Sequence, residues 1–470
     1  QRKYLDDFWR AADVEVDGDP GMQQAIRFAL FHLLQAGARG ESRPIAAKGL
    51  TGPGYDGHAF WEAETFVLPV LTYTSPISAR EALRWRHDTL DKAHERARVL
   101  RLDGATFPWR TINGAECSAY WPAGTAAFHV NADIADATAR YVAATGDEEF
   151  AIGCATELLV ETARLWPSLG HYDSGGRFRI DGVTGPDEYT ALRDNNAFTN
   201  LMAQCNLREA AQYCDRYPDV AVRLGVTAEE IALWRTVADA MIVPDPDTSA
   251  VHPQSEEFTD LAEWDFSRTP REHYPLLLHY PYFELYRKQV IKQADLVLAM
   301  YLRGDAFTAE QKERNFTYYE ARTVRDSSLS APVQAVLAAE LGHMRLAYDY
   351  LVETAMTDIH DLHGNVRDGL HLGALAGVWM ALVAGLGGMR DARGHLSFAP
   401  RLPPELTGLR FRLHIQDSTL AVEITQQDVA YRLLSGPPVQ VAHHGEPVTI
   451  DSQRPCHMAI PPVQDRAEPA

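Results

Sequence analysis

The stretch that best indicates the fold class of this chain is VNADIADATARYVAATG, residues 130–146. Its apolar residues, Val130, Ile134 and Tyr141 among them, recur at the spacing of one face of an α-helix, and Gly146 is typical of a helix C-cap. Similar spacing continues along most of the chain up to residue 390. The helical segments predicted beside this one include 22–37, 59–74, 198–214, 284–303, 331–355 and 371–386. The first 390 residues are therefore predicted to contain about ten to twelve helices.

The pattern changes near residue 395. The run LRFRLHI, residues 409–415, alternates apolar and polar side chains, which indicates a half-buried strand, and the alternation continues through 420–424 and 429–433. We predict a small antiparallel β domain here, followed by an irregular Pro-rich tail from Pro455.

The helices before the β domain favour an α/α toroid of paired helices. A solenoid is the alternative, and the lack of a repeat of fixed length disfavours it.

Composition narrows the possible classes of function. The net charge of −20 argues against nucleic-acid binding, because phosphate backbones demand a basic surface. Apolar runs are far shorter than the ~20 residues that span a bilayer, so no membrane association is expected. Five cysteines without CxxC spacing indicate reduced thiols in a cytoplasmic protein. No set of side chains has the spacing of metal ligands, and no metal is expected.

The length of 470 residues predicts two or three domains. We assign residues 1–20 to a helical linker, 21–394 to the helical domain and 395–470 to the β domain with its tail. The chain opens at Gln1 within a helix-like stretch, which suggests that a further domain precedes it in a longer protein.

The run VTGPDEY, residues 183–189, offers the strongest chemical signal. Gly-Pro marks a turn, and a helical segment follows from about Phe198. A carboxyl group held on a loop near a helix, here that of Glu188, is where a general acid can meet a substrate. The alternative is a structural turn with a solvated Glu188.

Two further motifs suit a sugar. In YDGHAFWEAE, residues 55–64, aromatic rings can stack on a sugar face while carboxylates accept from its hydroxyls. The alternative is a capped helix start with Trp61 in the core. In KQAD, residues 292–295, Lys292 and Gln293 can both donate to hydroxyls from a helical stretch, although such a pair is often solvated surface.

Two motifs suit an anion. RDSSLSAP, residues 325–332, places three hydroxyl groups and free backbone N–H groups at the start of a helix, where anions bind. Ordinary N-capping is the alternative. In DGLHLG, residues 368–373, His371 near a helix N-terminus can add a donor, or can be a packed core residue.

Together these motifs resemble glycoside hydrolase family 65, the inverting α-glucoside phosphorylases. The resemblance covers about residues 9 to 390. It rests on five motifs in the family's order: GYDGHAFW at 54–61, VTGPDEY at 183–189, KQAD at 292–295, DSSLS at 326–330 and GLH at 369–371. The resemblance implies an (α/α)6 barrel followed by a small C-terminal β domain, and a homodimer is usual in the family.

The resemblance also implies roles for particular side chains. Glu188 is expected to be the general acid. Phosphate is expected to bind Ser327, Ser328 and His371. The glucose subsite is expected to contain Trp61, Glu62, Lys292 and Gln293. Where the family usually has Trp-Asp, this chain has Trp61-Glu62, whose carboxylate stands one methylene further from the backbone.

These observations predict phosphorolysis of an α-glucosyl disaccharide (trehalose, maltose or kojibiose) to β-glucose 1-phosphate and a free sugar. Inorganic phosphate is the co-substrate, and no cofactor is expected. Trehalose is the first choice, with the acceptor subsite in loops of residues 250–282. The alternatives are an inverting α-glucosidase with Asp326 as base, or a non-catalytic sugar-binding module fused to another enzyme.

Overall fold

A computed structural model describes residues 1–37, 41–118, 121–246, 248–392, 394–462 and 466. They form two compact units: the first unit comprises 1–85, 137–150 and the residues after 330, and the second unit comprises 86–136 and 151–330. The α-helices are Arg2–Ala12, Pro20–Gly37, Leu68–Thr74, Pro76–Asp88, Leu90–Leu100, Pro122–Ala126, His129–Thr145, Glu148–Phe150, Thr156–Leu169, Ala197–Arg216, Pro218–Arg223, Ala228–Ala240, Tyr282–Leu285, Asp295–Leu302, Ala309–Glu320, Ser330–Leu341, Met344–Met356 and Leu372–Trp379. Segments of π-helix are Ala63–Val67, Ala151–Ala155 and Met380–Leu386.

Most of the predicted helices are confirmed. The helix predicted from residue 130 is His129–Thr145, and Gly146 follows it with a φ of +68°. Its N–H donates to the carbonyl of Val142 at 2.8 Å, as expected of a C-cap. A positive φ is strained for residues with a Cβ, which explains why glycine ends this helix.

The helix predicted over 284–303 is wrong in its central part. Tyr282–Leu285 is a short helix, Lys288–Gln289 is a strand, and the next helix begins only at Asp295. Lys292 and Gln293 therefore lie on a loop. The cause is tertiary, because the N–H of Lys292 donates to the side chain of Asp187 instead of to a helical carbonyl.

The helix predicted over 331–355 is two helices. Ser330–Leu341 and Met344–Met356 are separated at Gly342, which has a φ of +90°. A left-handed residue cannot continue an α-helix, so the chain changes direction there.

The β domain of the first unit contains two sheets. One has five antiparallel strands in the order Val14–Asp17, Gly408–Ile415, Ser418–Ile424, Asp428–Ser435 and Cys456–Ala459. The other has four strands in the order Glu446–Ile450, Val439–His443, His395–Phe398 and Arg390–Ala392, of which the central two are parallel. The three strands predicted between 409 and 433 are confirmed.

Two strands of the five-stranded sheet were not expected from the sequence. Val14–Asp17, in the segment assigned to a helical linker, pairs with Gly408–Ile415, and Arg410 Nη1 lies 2.6 Å from Asp17 Oδ2 across this pair. Cys456–Ala459 pairs with Asp428–Ser435, so the tail is not irregular throughout. Both strands are only four residues long, which is too short for alternation to indicate them. The domain boundaries stay predictions.

The second unit is built around the helix Ala197–Arg216. It packs against Thr156–Leu169, Ala228–Ala240 and Asp295–Leu302 and is buried on most sides. A buried hydrogen bond of 2.7 Å from the Trp166 indole N–H to the Asn206 side chain ties two of these helices together. Because Asn206 also donates to the carbonyl of Leu159, both polar ends of its amide are paired.

Within the ranges that the structure describes, no helix is both long enough and apolar enough to cross a membrane.

The pairing of Trp166 with Asn206 predicts a specific loss of stability. Asn206→Ala should lower the free energy of unfolding by about 1–3 kcal/mol, because it leaves the buried indole N–H without an acceptor. Urea unfolding followed by tryptophan fluorescence measures the change. Asn113→Ala, at an exposed position of the second unit, is the control and should change the free energy by less than about 0.5 kcal/mol. Equal effects of the two substitutions would contradict this account.

Candidate active site

The backbone of the Gly-Pro turn, residues 185–186, lies very close to two buried side chains of the second unit. A methyl group on Gly185 would lie 2.2 Å from Asp295 Oδ2 and 2.6 Å from Asn196 Nδ2. Both distances are far shorter than a van der Waals contact, so only glycine fits here. The turn therefore lies directly against buried side chains at the starts of two helices, Ala197–Arg216 and Asp295–Leu302.

Asp187 organises this turn from a fully buried position. Its Oδ1 accepts the backbone N–H of Lys292 at 2.9 Å and that of Tyr189 at 3.2 Å. Its Oδ2 accepts the hydroxyl of Thr190 at 2.7 Å and the amide of Gln254 at 2.9 Å. Burial raises the pKa of Asp187, and these donors act in the opposite direction. The Asp187 carboxyl thus joins the turn to the loop that carries Lys292.

A second buried carboxyl, that of Asp295, lies beside the turn. Its Oδ1 accepts the N–H of Asp187 at 2.5 Å, and its Oδ2 accepts the Asn196 amide at 2.6 Å. Burial, and then the charge of Asp187, raise the pKa of Asp295 well above its ordinary value. Two buried carboxyls are tolerated only where donors surround them, and this requirement leaves the backbone on either side little freedom.

Glu188, next to Asp187, has a different environment. Its Oε2 lies 3.0 Å from Lys292 Nζ, and its side chain is 17% exposed, so it can be reached from solvent. Burial, with the charge of Glu188 as a further cause, raises the pKa of both Tyr282 and Tyr286, the latter to about 12. Trp121 packs edge-on against Tyr282 with ring centroids 4.9 Å apart. The carboxyl of Glu188, the ammonium of Lys292 and the rings of the two tyrosines therefore lie close together.

Gln293 links the turn of Glu188 to the serine loop, residues 326–330. Its Nε2 donates to the carbonyl of Pro186 at 2.5 Å, and its Oε1 accepts the Ser327 hydroxyl at 2.5 Å. The Ser330 hydroxyl donates to the carbonyl of Lys292 at 2.8 Å. The second unit thus brings together four residues singled out in the sequence: Glu188, Lys292, Gln293 and Ser327. Ser328, partly buried, lies between Ser327 and the helix Ser330–Leu341.

One oxygen of Asp326, the candidate base of a hydrolase, is held by structural contacts. Its Oδ2 accepts the Tyr189 hydroxyl and the N–H of Leu276, both at 2.7 Å. Burial raises the pKa of Asp326, and these hydrogen bonds and Lys292 oppose the rise. The Tyr189 hydroxyl also accepts the N–H of Leu277 at 3.0 Å. Asp326 therefore anchors the segment around residue 276, which belongs to an apolar cluster with Tyr189 and Trp264.

His371 lies in the first unit, where a buried carboxylate holds it. Its Nδ1 is 2.6 Å from Asp358 Oδ1, and its N–H donates to Asp358 Oδ2 at 2.8 Å. It precedes the helix Leu372–Trp379 directly, as predicted. A contact at Nδ1 sets the tautomer and orientation of the ring and directs Nε2 away from Asp358.

Trp61 and Glu62 also lie in the first unit. Trp61 is buried and packs edge-on against Phe66 at a centroid distance of 5.9 Å, so its ring belongs to a packed environment. Glu62 is half-buried, and its charge acts on Lys48. The structure thus shows Trp61 in the core, as the structural alternative had it, and its expected contact with a sugar stays a prediction.

Lys48 is a charged residue that the sequence analysis missed. It is 3% exposed, and burial lowers its pKa against the opposing charges of Asp358, Asp368 and Glu62, in that order. Lys48 therefore lies in the neighbourhood of both Glu62 and the carboxylate that holds His371. The available signal was a single lysine within a Gly-rich stretch, AKGLTGPG at 47–54.

Close backbone contacts position the Lys48 stretch. A Cβ on Gly52 would lie 2.5 Å from the nitrogen of Gly369, and one on Gly54 would lie 2.5 Å from the carbonyl oxygen of Asp368. The Thr51 hydroxyl accepts the N–H of Leu370 at 2.8 Å. The Gly-rich stretch and the segment before His371 therefore form one packed element of the first unit.

Among the residues that the structure describes, no group of three or more His, Cys, Asp or Glu side chains could hold a metal ion. The expectation that this protein needs no metal stays a prediction.

Comparison with known proteins gives close relatives. The chain is 58% identical over 462 residues to an uncharacterized glycosyl hydrolase of Mycobacterium tuberculosis, covering 98% of this chain and 58% of that protein. It is 44% identical to an α,α-trehalose phosphorylase of Geobacillus stearothermophilus, covering 98% of this chain and 61% of the relative. The chain thus spans about three fifths of the length of the curated relatives it matches.

A solved structure described as a putative kojibiose phosphorylase from the human microbiome superimposes with a TM-score of 0.91 at 28% identity, covering 97% of this chain and 68% of that one. The match confirms the fold expected from the sequence, an (α/α)6 barrel with a small C-terminal β domain. The model of the glycosyl hydrolase family 65 central catalytic domain matches residues 27–380, and that of the family's C-terminal domain matches 389–450. This chain belongs to glycosyl hydrolase family 65.

Proposed function

We propose that this protein is an inverting glycoside phosphorylase that cleaves an α-glucosyl disaccharide with inorganic phosphate. One observation carries the proposal: the reachable carboxyl of Glu188 is paired with Lys292, whereas the nearby carboxyl of Asp326 is bound to Tyr189 and Leu276. The contacts of Asp326 Oδ2 favour a structural role for that carboxyl and leave Glu188 as the proposed acid. Inverting hydrolysis needs an acid and a base, but phosphorolysis needs only the acid.

In the proposed reaction, Glu188 donates its proton to the glycosidic oxygen as the bond from that oxygen to C1 breaks. A phosphate oxygen forms the new bond to C1 from the opposite face, so the configuration inverts and β-glucose 1-phosphate results. Phosphate is already a charged nucleophile and requires positioning instead of deprotonation. Lys292 donates to a hydroxyl of the bound glucosyl group. This contact draws the Lys292 ammonium away from Glu188, so the Glu188 carboxyl can carry the proton.

The hydroxyl groups of Ser327 and Ser328 supply donors for phosphate in this proposal. The 2.5 Å hydrogen bond from Ser327 to Gln293 places this loop beside the turn of Glu188, because the same amide also contacts Pro186 of that turn. A shift of the serine loop would therefore also displace the turn that carries Glu188. In the proposed complex the Ser327 hydroxyl turns its single proton from Gln293 to phosphate. His371 as a phosphate donor, and Trp61 and Glu62 as glucose ligands, stay predictions from the family resemblance.

Trehalose is the proposed substrate. Its support is the 44% identity to a relative described as α,α-trehalose phosphorylase. A cytoplasmic location, a homodimer and the absence of a cofactor belong to the same proposal. The five cysteines are all free, which is consistent with a reducing compartment.

The test of the activity is product release from trehalose, maltose and kojibiose, each with and without inorganic phosphate. We expect glucose 1-phosphate to be released from trehalose only when phosphate is present. Free glucose in phosphate-free buffer would identify a hydrolase and direct attention to Asp326. Sugar binding without turnover in either buffer would identify a non-catalytic module.

Replacing the acid should stop the reaction. Glu188→Gln should lower kcat by about 10²–10⁴-fold while sugar binding persists, because the amide keeps the shape of the side chain but has no proton to donate. Glu229→Gln, at an exposed position in the first turn of the helix Ala228–Ala240 of the same unit, is the control and should retain activity. Steady-state kinetics and calorimetric titration with trehalose separate the two effects. Undiminished turnover of Glu188→Gln would contradict the assignment of Glu188 as the general acid.

The serine loop should act on phosphate. Ser328→Ala should raise the KM for phosphate about tenfold or more and leave the KM for the disaccharide nearly unchanged, because a lost hydrogen bond to a charged group is worth about 1.5–3 kcal/mol. Ser330→Ala is the matched control, since that hydroxyl is buried and donates to the Lys292 carbonyl. A larger phosphate effect from Ser330→Ala than from Ser328→Ala would contradict the proposed phosphate site.

A further inference from the structure

The first unit contains a buried cation, Lys48, to which the proposed reaction gives no role. Lys48 is 3% exposed, and among the residues that the structure describes its ammonium group forms no hydrogen bond and no ion pair. The group lies over the ring of Tyr55, with Nζ 5.6 Å from the ring centroid. One ring face does not replace the hydration that a buried ammonium group loses, so this charge lacks a direct partner.

A backbone hydrogen bond places Lys48 beside His371. The carbonyl of Ala47, the residue before Lys48, accepts the N–H of Leu372 at 3.1 Å. Leu372 directly follows His371 and begins the helix Leu372–Trp379. Lys48 and His371 therefore lie on two backbone segments that are hydrogen-bonded to each other.

The side chain of Lys48 extends along the segment that leads to His371. A Cβ on Gly369 would lie 3.0 Å from Lys48 Cβ, and a Cβ on Gly54 would lie 3.2 Å from Lys48 Cε. The same Cβ position of Gly54 is 2.5 Å from the carbonyl oxygen of Asp368. The aliphatic part of Lys48 therefore lies beside Asp368 and Gly369, just before His371.

The imidazole of His371 also has a nitrogen without a partner. Its Nδ1 and its backbone N–H are both bound to Asp358, whereas Nε2 has no hydrogen bond within the described ranges. Asp358 is the largest of the charges that act on Lys48, although its hydrogen bonds are with His371 and none is with Lys48. Lys48 Nζ and His371 Nε2 are thus two neighbouring polar groups that both lack a partner.

An anion with several oxygens fits these groups. The first N–H groups of the helix Leu372–Trp379 lie at its positive end, where phosphate commonly binds. An ammonium group adds up to three donors and a full charge. Hydrogen phosphate carries both an O–H group and acceptor oxygens, so it can pair with Nε2 of His371 in either protonation state of the ring. In a chain of net charge −20, a phosphate site needs such local positive charge.

We propose that Lys48 is a further phosphate-binding residue of this protein and that it holds phosphate together with His371. The inference rests on the proposed function for the identity of the anion. In the complex the Lys48 ammonium donates to phosphate oxygens, so the buried positive charge gains a direct partner. The cost of burying this cation is then offset only when phosphate is bound, which makes Lys48 a determinant of phosphate affinity.

The first test measures phosphate binding directly. Inorganic phosphate is titrated calorimetrically into the unmodified protein and into Lys48→Met, each alone and in the presence of glucose. Lys48→Met should raise the Kd for phosphate about tenfold or more, because it removes charge-assisted hydrogen bonds. Lys3→Met, at an exposed position of the same unit, is the control and should leave the Kd unchanged. An unchanged Kd in folded Lys48→Met, or no phosphate binding by the unmodified protein, would overturn the inference.

Unfolding by urea separates a phosphate ligand from a structural residue. Because the Lys48 ammonium has no partner among the described residues, Lys48→Met should leave the urea midpoint in phosphate-free buffer unchanged or raise it. Phosphate should raise the midpoint of the unmodified protein and have a much smaller effect on the variant. A lower midpoint with an unchanged response to phosphate would assign Lys48 to the fold and overturn the inference. If Lys48→Met does not fold, Lys48→Gln is the second variant, with the same expected results.

These results are distinguishable from failure of the proposed function. Phosphate-dependent release of glucose 1-phosphate, with an unchanged Kd for phosphate in Lys48→Met, would refute the role of Lys48 and leave the phosphorylase standing. No release by the unmodified protein, with phosphate affinity still lost in Lys48→Met, would refute the phosphorylase and leave the phosphate ligand standing. Loss of glucose binding with unchanged phosphate binding would assign Lys48 to the sugar and overturn the inference.

Discussion

The burial of two carboxyl groups side by side, those of Asp187 and Asp295, is the constraint on which the rest of the candidate site depends. Neither group can stay buried without donors, and the donors come from backbone and side chains of several separate segments. Satisfying these carboxyls sets the path of the turn at 185–189 and of the loop at 292–294. The same contacts place Glu188 and Lys292 3.0 Å apart. The placement of Glu188 and Lys292 thus depends on two buried carboxyls.

In the first unit, too, a buried carboxylate fixes the position of neighbouring groups. Asp358, almost fully buried, accepts the N–H of His371 and contacts its ring, so one carboxylate sets both the backbone and the side chain. In both units the buried acid is the structural one, and the neighbouring side chain that it positions is the one with access to solvent. Strict geometry and access to substrate make opposite demands on a single side chain, so the two roles fall to two residues.

Much of the site could be predicted from the sequence, because its motifs are short and local. VTGPDEY specified a turn with an acid, and DSSLS and GLH each specified a helix start, as the structure has them at Ser330 and Leu372. Lys292 and Gln293 were expected on a helix and lie on a loop. Their local pattern permits a helix, and only the distant Asp187 carboxylate provides a competing acceptor for the Lys292 N–H. Lys48 was missed because a lone lysine becomes notable only once it is buried.

The sequence by itself determined most of the succession of helices and the β domain, because periodicity and turn residues act within a few positions of one another. It also determined the family, through the order of five motifs. The tertiary structure decided the surroundings of the three carboxyls: Asp187 is buried among donors, Asp326 accepts the Tyr189 hydroxyl, and Glu188 pairs with Lys292. It likewise decided the edge strand Val14–Asp17. Burial and hydrogen-bond partners arise between segments far apart in the chain, and no local pattern encodes them.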